Sequence, residues 1–150
     1  MILIAYDGSD DARAAIEEAA KLWPGQQVTV LSVWTPFAEV VAHASTGFVA
    51  GMADYDEIDA ASEKLAGERS REGAELASSL GLAATASERA QASTTAEAIL
   101  AEASDVGVQV IVVGTRGLTG VKSLLLGSVS HAVVHHATVP VLVVPHSKRD

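Results

Sequence analysis

Four short apolar runs rich in β-branched residues, and a weaker fifth, are spaced along the chain with helix-forming stretches between them. The runs are Ile2 to Tyr6, Val28 to Val33, Gln109 to Val113 and Val139 to Val144, with Ala83 to Ala90 as the weak one. Between the first two, Asp7-Gly8-Ser9 makes a turn. Ser9 or Asp10 then caps a helix, because their side-chain oxygens accept from its open N–H groups. That helix carries Ala12, Ala15, Ile16, Ala19, Ala20 and Trp23 on one apolar face, and Pro24-Gly25 stops it. Asp56 to about Leu80 is helical by composition, with Gly81 as its C-cap. Ser93 or Thr94 caps the next helix, with Glu97 three residues after Thr94 as a capping box. Ser128 to about His136 forms the last. Residues 35–54, with Pro36, Gly47 and Gly51, show no period and read as a long loop.

Strands that alternate with helices predict a parallel sheet covered by helices on both faces, a doubly wound α/β fold. The continuous β-branched run at Gln109 to Val113 suits a strand buried on both sides. Nothing repeats and no linker interrupts the pattern, so residues 1–150 read as a single domain. Pro140 at the start of the final run suits a sheet edge. An apolar edge strand is normally covered or paired, which suggests that two chains meet along Val139 to Val144.

Composition narrows the function classes. Apolar residues make up 49% and charged residues 19%, which is globular rather than disordered. There is no cysteine. That removes disulfides, thiolate metal sites and a thiol nucleophile together, and it fits a reducing, cytoplasmic setting. No apolar stretch is long enough to span a membrane, and the N-terminal residues do not read as a signal peptide. A formal net charge of −9 speaks against a general nucleic-acid binder.

The charge is unevenly placed. Residues 1–105 hold 18 acids against 6 bases, a balance of −12, whereas residues 106–149 hold no acid and 4 bases. The bases are Arg116, Lys122, Lys148 and Arg149. Such an acid-free stretch is a plausible seat for an anionic ligand, although buried sheet and helix are poor in acids anyway.

Within that stretch lies Gly114-Thr115-Arg116-Gly117, followed by Gly120, Lys122 and then Gly127-Ser128-Val129-Ser130. It runs from the end of a central parallel strand, where open α/β sheets bind ligands, to a helix N-terminus. The helix start offers free N–H groups and the positive end of the helix dipole. Gly114, Gly117 and Gly127 let the backbone approach a phosphate, and Ser128 adds a hydroxyl beside its N–H. Arg116 and Lys122 bring mobile positive charge, Lys122 more as a solvated residue. The segment is not a Walker A loop, because Val121 separates Gly120 from Lys122. It is not a dinucleotide fingerprint either, since the glycines fall every third residue and follow the fourth strand.

The spacing it does hold is G-x2-G-x9-G-[ST], with Gly114, Gly117, Gly127 and Ser128 in register. Together with the opening Ile4-Ala5-Tyr6-Asp7-Gly8-Ser9 and the closing His136-Ala137-Thr138-Val139-Pro140-Val141-Leu142-Val143-Val144, it resembles the universal stress protein family, in its ATP-binding branch. The resemblance implies a five-stranded parallel sheet of the Rossmann-like, adenine nucleotide alpha hydrolase-like kind, and a homodimer through the last strand. It implies that Asp7 sits near the ribose or a metal and that Val33 offers backbone groups to adenine. Gly114, Thr115, Arg116, Gly117, Gly127, Ser128, Val129 and Ser130 would surround ribose and phosphates. ATP or another adenine nucleotide such as cyclic AMP would be the ligand, with Mg2+ or Mn2+ bridging phosphates. Two positions depart from the family pattern. Ser32 replaces a common His beside the adenine contact, and Ala92 replaces a common Gly before a helix.

Other residues carry less. His131 and His135 stand i, i+4 on a helix, but neither a third ligand nor a metalloprotease base accompanies them. His136 suits the helix C-terminus. Trp23 and Trp34 read as packing residues. No Ser–His–Asp order supports acyl transfer, so the expectation is a nucleotide-binding stress regulator rather than an enzyme. A dimeric interaction protein with a vestigial pocket and a slow ATPase stay open beside it.

Overall fold

The computed structural model describes residues 1–43, 54–117 and 126–145. The elements run β1 (Ile2–Ala5), α1 (Asp10–Leu22), β2 (Gln27–Trp34), α2 (Phe37–His43), α3 (Tyr55–Ser79), β3 (Ala83–Ala90), α4 (Thr95–Val106), β4 (Val110–Gly114), α5 (Ser128–His136) and β5 (Val141–Val144). The strands form one parallel sheet in the order β3-β2-β1-β4-β5. The fold is therefore the doubly wound α/β sheet that the strand–helix alternation predicts. No described helix is long and apolar enough to cross a membrane.

Period-2 alternation sorts the strand side chains into two cores. Ile2, Ile4, Tyr6, Val28, Val30 and Val112 pack with α1 and α3 on one face. Leu3, Leu31, Ile111 and Val113 pack with α4 and α5 on the other. On α1, the spacing of Ala12, Ala15, Ile16 and Ala19 puts all four in the first core, where Ile16 is fully buried. Burying such an isoleucine contributes roughly 1.5–3 kcal/mol. The small alanines around it let α1 lie close to the sheet.

Helix entries follow the side-chain chemistry. Ser9 caps α1, its Oγ accepting from the Ala12 N–H at 3.2 Å. Thr94 caps α4, its Oγ1 accepting from the Glu97 N–H at 3.1 Å. Gly81 follows the C-cap of α3 with φ of +89°, the left-handed region that favours glycine.

Three of the differences from the sequence reading have a visible cause. The expected loop over 35–54 begins with a helix, α2, whose Glu39 and Val40 N–H groups donate to the Pro36 carbonyl. None of its residues is buried, so it leaves no amphipathic signature to read. Its start is held from outside, by Phe37 N–H donating to Asp59 Oδ1 of α3 at 2.7 Å. The remainder of that stretch, 44–53, lies outside the described residues. β5 begins at Val141 rather than Val139, because Pro140 has no N–H to give the ladder and contributes only its carbonyl, to Ile111 N–H. Gly114 closes β4 instead of opening the loop, paired with Val144.

Candidate functional site

Strand order reverses between β1 and β4, whose neighbours β2 and β5 lie on opposite sides. Above this point a cavity of about 510 Å³ opens at the C-terminal strand ends. Asp7 and Val33 line it from the β1 and β2 ends, and Gly114, Thr115, Arg116 and Gly117 from the β4 end. Gly127, Ser128, Val129 and Ser130 line it from the start of α5. These ten residues thus line one cavity. Gly120 and Lys122 lie outside the described residues.

Each element delivers its part for a local reason. β1 ends at Ala5, and the turn after it needs Gly8 at φ of +83°. Asp7 Oδ1 accepts from Ser9 N–H at 2.9 Å, which fixes the carboxylate at the cavity rim. Along β2 the backbone groups alternate between neighbouring strands. Leu31 turns its carbonyl to β1, where Tyr6 N–H donates to it at 2.8 Å. Val33, two residues on, turns its groups the same way, past the last residue of β1 and over the cavity. They are suited to read the hydrogen-bonding edge of a planar base.

Thr115 is the joint of the site. Its N–H donates to Val144 O at 3.0 Å. Its carbonyl accepts from Gly127 N–H at 2.6 Å and from Ser130 Oγ at 2.9 Å. Its hydroxyl donates to Asp11 Oδ2 at 2.6 Å. One residue thereby ties β5, α5 and α1 together. Gly127 is the N-cap of α5 and supplies no side chain to the helix start. The first turn of α5 faces the cavity through Ser128, Val129 and Ser130, an arrangement that favours an anion.

The geometry revises five expectations. Gly114 is glycine because α1 crosses there: a Cβ would stand 2.8 Å from the Asp11 backbone carbon. Close helix approach, not phosphate approach, is what the missing side chain permits. Gly117 is open because of Asp7, whose Oδ2 would lie 2.6 Å from a Cβ. Arg116 is not a mobile charge. Its N–H donates to Asp11 Oδ2 at 3.0 Å, and its Nε lies 3.7 Å from the same oxygen. The site is not acid-free either, since Asp7 and Asp11 arrive from the acidic first part of the chain. Ser130 Oγ spends its proton on the Thr115 and Gly127 carbonyls, which leaves it as an acceptor and a loop brace.

Asp11 is the residue that sequence reasoning missed. In the sequence it is one of two adjacent acids in a helix first turn, which helix-dipole arguments already explain. Its partners lie more than a hundred positions away, and only its burial signals a specific role. Thr35, Thr95 and Ile99 also line the cavity and carry no motif. Ser32 does not line it. Its buried hydroxyl donates to Tyr6 O at 2.6 Å, so the departure at this position is absorbed inside the sheet. His131 and His135 stand exposed on α5 with ring centroids 5.8 Å apart. Among the described residues no group of three metal-ligating side chains converges.

Comparison with known proteins places this geometry among relatives. The profile of the universal stress protein family matches residues 1–145. Universal stress protein YxiE of Bacillus subtilis is 35% identical over 95% of this chain and 97% of its own length. A universal stress protein of Thermus aquaticus is 36% identical over 95% of this chain and 96% of its own. Among solved structures, MJ0577 superposes with a TM-score of 0.78 at 23% identity, covering 98% of this chain and 96% of that one. Three further structures of the same fold hold nucleotides. An Arabidopsis thaliana family member carries AMP (TM-score 0.67, 18% identity, 98% and 92% covered). A universal stress protein carries cAMP (0.59, 23%, 97% and 96%), and one from Archaeoglobus fulgidus carries dAMP (0.58, 21%, 95% and 95%).

Proposed function

Because the chain belongs to the universal stress protein family, we propose that it binds an adenine nucleotide, ATP, AMP or cyclic AMP, in the cavity between β1, β4 and α5. The observation that carries this reading is the convergence of Asp7, Val33, the Gly114 to Gly117 turn and the Gly127 to Ser130 helix start on one cavity of nucleotide size. Val33 backbone groups meet the base edge, and Asp7 meets the ribose. The α5 N–H groups take a phosphate. Where several phosphates are carried, a divalent ion such as Mg2+ or Mn2+ would neutralise them, and Asp7 is the carboxylate on the described wall that would face it. The AMP, dAMP and cAMP held by family members of the same fold support the choice of base.

The role is that of a cytoplasmic stress-response regulator whose occupancy reports nucleotide supply. Binding rather than turnover fits a wall whose polar groups hold one another in place. A homodimer along β5 belongs to the same reading. Among the described residues β5 is bonded to β4 on one side only, and Val141, Leu142 and Val143 stay partly exposed. A charge at Val141 would leave a monomer in sedimentation.

Thermal unfolding with ATP, ADP, AMP and cyclic AMP, each with and without Mg2+, tests the binding. A ligand at 100 times its dissociation constant adds about 2.7 kcal/mol of stability. A Gly127→Leu variant places side-chain atoms against the Thr115 carbonyl and the cavity mouth, and loses the shift. No stabilisation of the parent protein by any of the four nucleotides would overturn the reading.

A further inference from the structure

Asp11 lies behind the cavity wall, buried, with one carboxylate oxygen that gathers three partners. Oδ2 accepts from Thr115 Oγ1 at 2.6 Å and from Arg116 N–H at 3.0 Å, and it sits 3.7 Å from Arg116 Nε. A hydroxyl, a backbone N–H and a guanidinium converging on one anionic oxygen are what a phosphate oxygen would recruit. Here a side chain of the protein holds that place. Arg116 is the single cation among the described lining residues, and its charge is already met.

We propose that Asp11 sets the charge preference of the site, occupying the donors of the Thr115-Arg116 turn and biasing the cavity toward nucleotides with one phosphate over those with three. The inference rests on the nucleotide reading above. The start of α5 remains available, and a helix N-terminus suits a single phosphate group. Second and third phosphates would reach a described wall whose one cation is paired with Asp11 and so adds no net positive charge to hold them. Poor solvent screening around the buried carboxylate keeps that pairing strong. Asp11 does not touch the ligand in this arrangement. It acts through Arg116 and Thr115, as a positioning residue.

Calorimetric titration with AMP and with ATP, both without divalent ions, separates the roles. The parent protein is expected to bind AMP more tightly than ATP. Asp11→Asn keeps an acceptor for Thr115 and Arg116 but removes the charge. AMP affinity should stay within about threefold, while ATP tightens about tenfold as Arg116 is released. Asp11→Ala removes both charge and acceptor. It should weaken both nucleotides while moving their ratio in the same direction as Asp11→Asn. Rescue of AMP binding by Asn but not by Ala marks a hydrogen-bonding role that simple helix packing would not produce. If the parent binds neither nucleotide, the nucleotide reading fails and this inference with it. If the parent binds both and the ATP-to-AMP ratio is unmoved in the two variants, only the assignment of Asp11 fails.

Discussion

Gly117 makes room for Asp7: a Cβ on the glycine would stand 2.6 Å from the Asp7 Oδ2 atom. The two residues lie on different strand ends, so the glycine of one loop leaves room for the carboxylate of the other, which Ser9 N–H holds at the rim. Gly117 has no positive φ, and the atom it would meet is the tip of a side chain that can swing away. Gly117→Ala should therefore leave stability within about 0.5 kcal/mol. It should cost about tenfold in nucleotide affinity, because Asp7 must leave its place. Asp7→Asn at the same site should lose a similar factor. Paired denaturation and titration measure both. An alanine variant with full affinity would mean that the Asp7 position does not matter to the ligand.

Gly114 behaves oppositely. Its missing Cβ faces the Asp11 backbone, which cannot swing aside. Gly114→Ala should push α1 off β4 and lower the unfolding free energy by roughly 1–3 kcal/mol, the usual range for overpacking. For a domain of this size each kcal/mol lost lowers Tm by about 2–4 °C or somewhat more. Urea unfolding would show the loss with or without nucleotide.

Tyr6 gives the fold a pH dependence on the alkaline side. Its hydroxyl donates to Glu72 Oε1 at 3.0 Å, and Arg13 lies over its ring and pairs with the same carboxylate. Burial, with the Glu72 hydrogen bond next, pushes the phenol up to about 12 from the ordinary 10.0. The raised value means that the unfolded chain gives up this proton first. Stability is fully present below about pH 10 and is lost as pH rises toward about 12. Tyr6→Phe should remove that alkaline slope, as read from urea midpoints against pH. The Tyr6 hydrogen bond also holds the Glu72 carboxyl below its ordinary range, so this carboxylate adds stability above that range that is lost in acid.

The cap of α4 lies one residue before Thr95 of the cavity wall. Thr94→Ala removes the acceptor for Glu97 N–H and should cost about 1 kcal/mol. Thr94→Ser should restore it.

The strands and most helices were legible because their signals are local. Ile2 to Tyr6 is apolar and ends in Asp-Gly-Ser, and Ser9 and Thr94 cap as their chemistry requires. Helix α2 was illegible because it buries none of its residues and is held by Asp59, a side chain from another helix. The cavity-lining residues were legible as a set because their spacing resembles a family pattern. Their individual reasons were not. Gly114 looks like a phosphate glycine and is a packing glycine, because nothing in the sequence says that α1 crosses there. Arg116 looks free and is paired, because Asp11 stands a hundred residues upstream and reads as an ordinary helix-start acid.

The carbonyl of Thr115 accepts from both Gly127 and Ser130, so the chain that leaves β4 is fastened to its own return point at a single peptide. The peptide that ends the strand therefore also sets where α5 begins, so any substitution that displaces Thr115 would carry the α5 N-terminus with it. Strand end and helix start behave as one rigid corner, and the groups that face the cavity from its two sides keep their spacing.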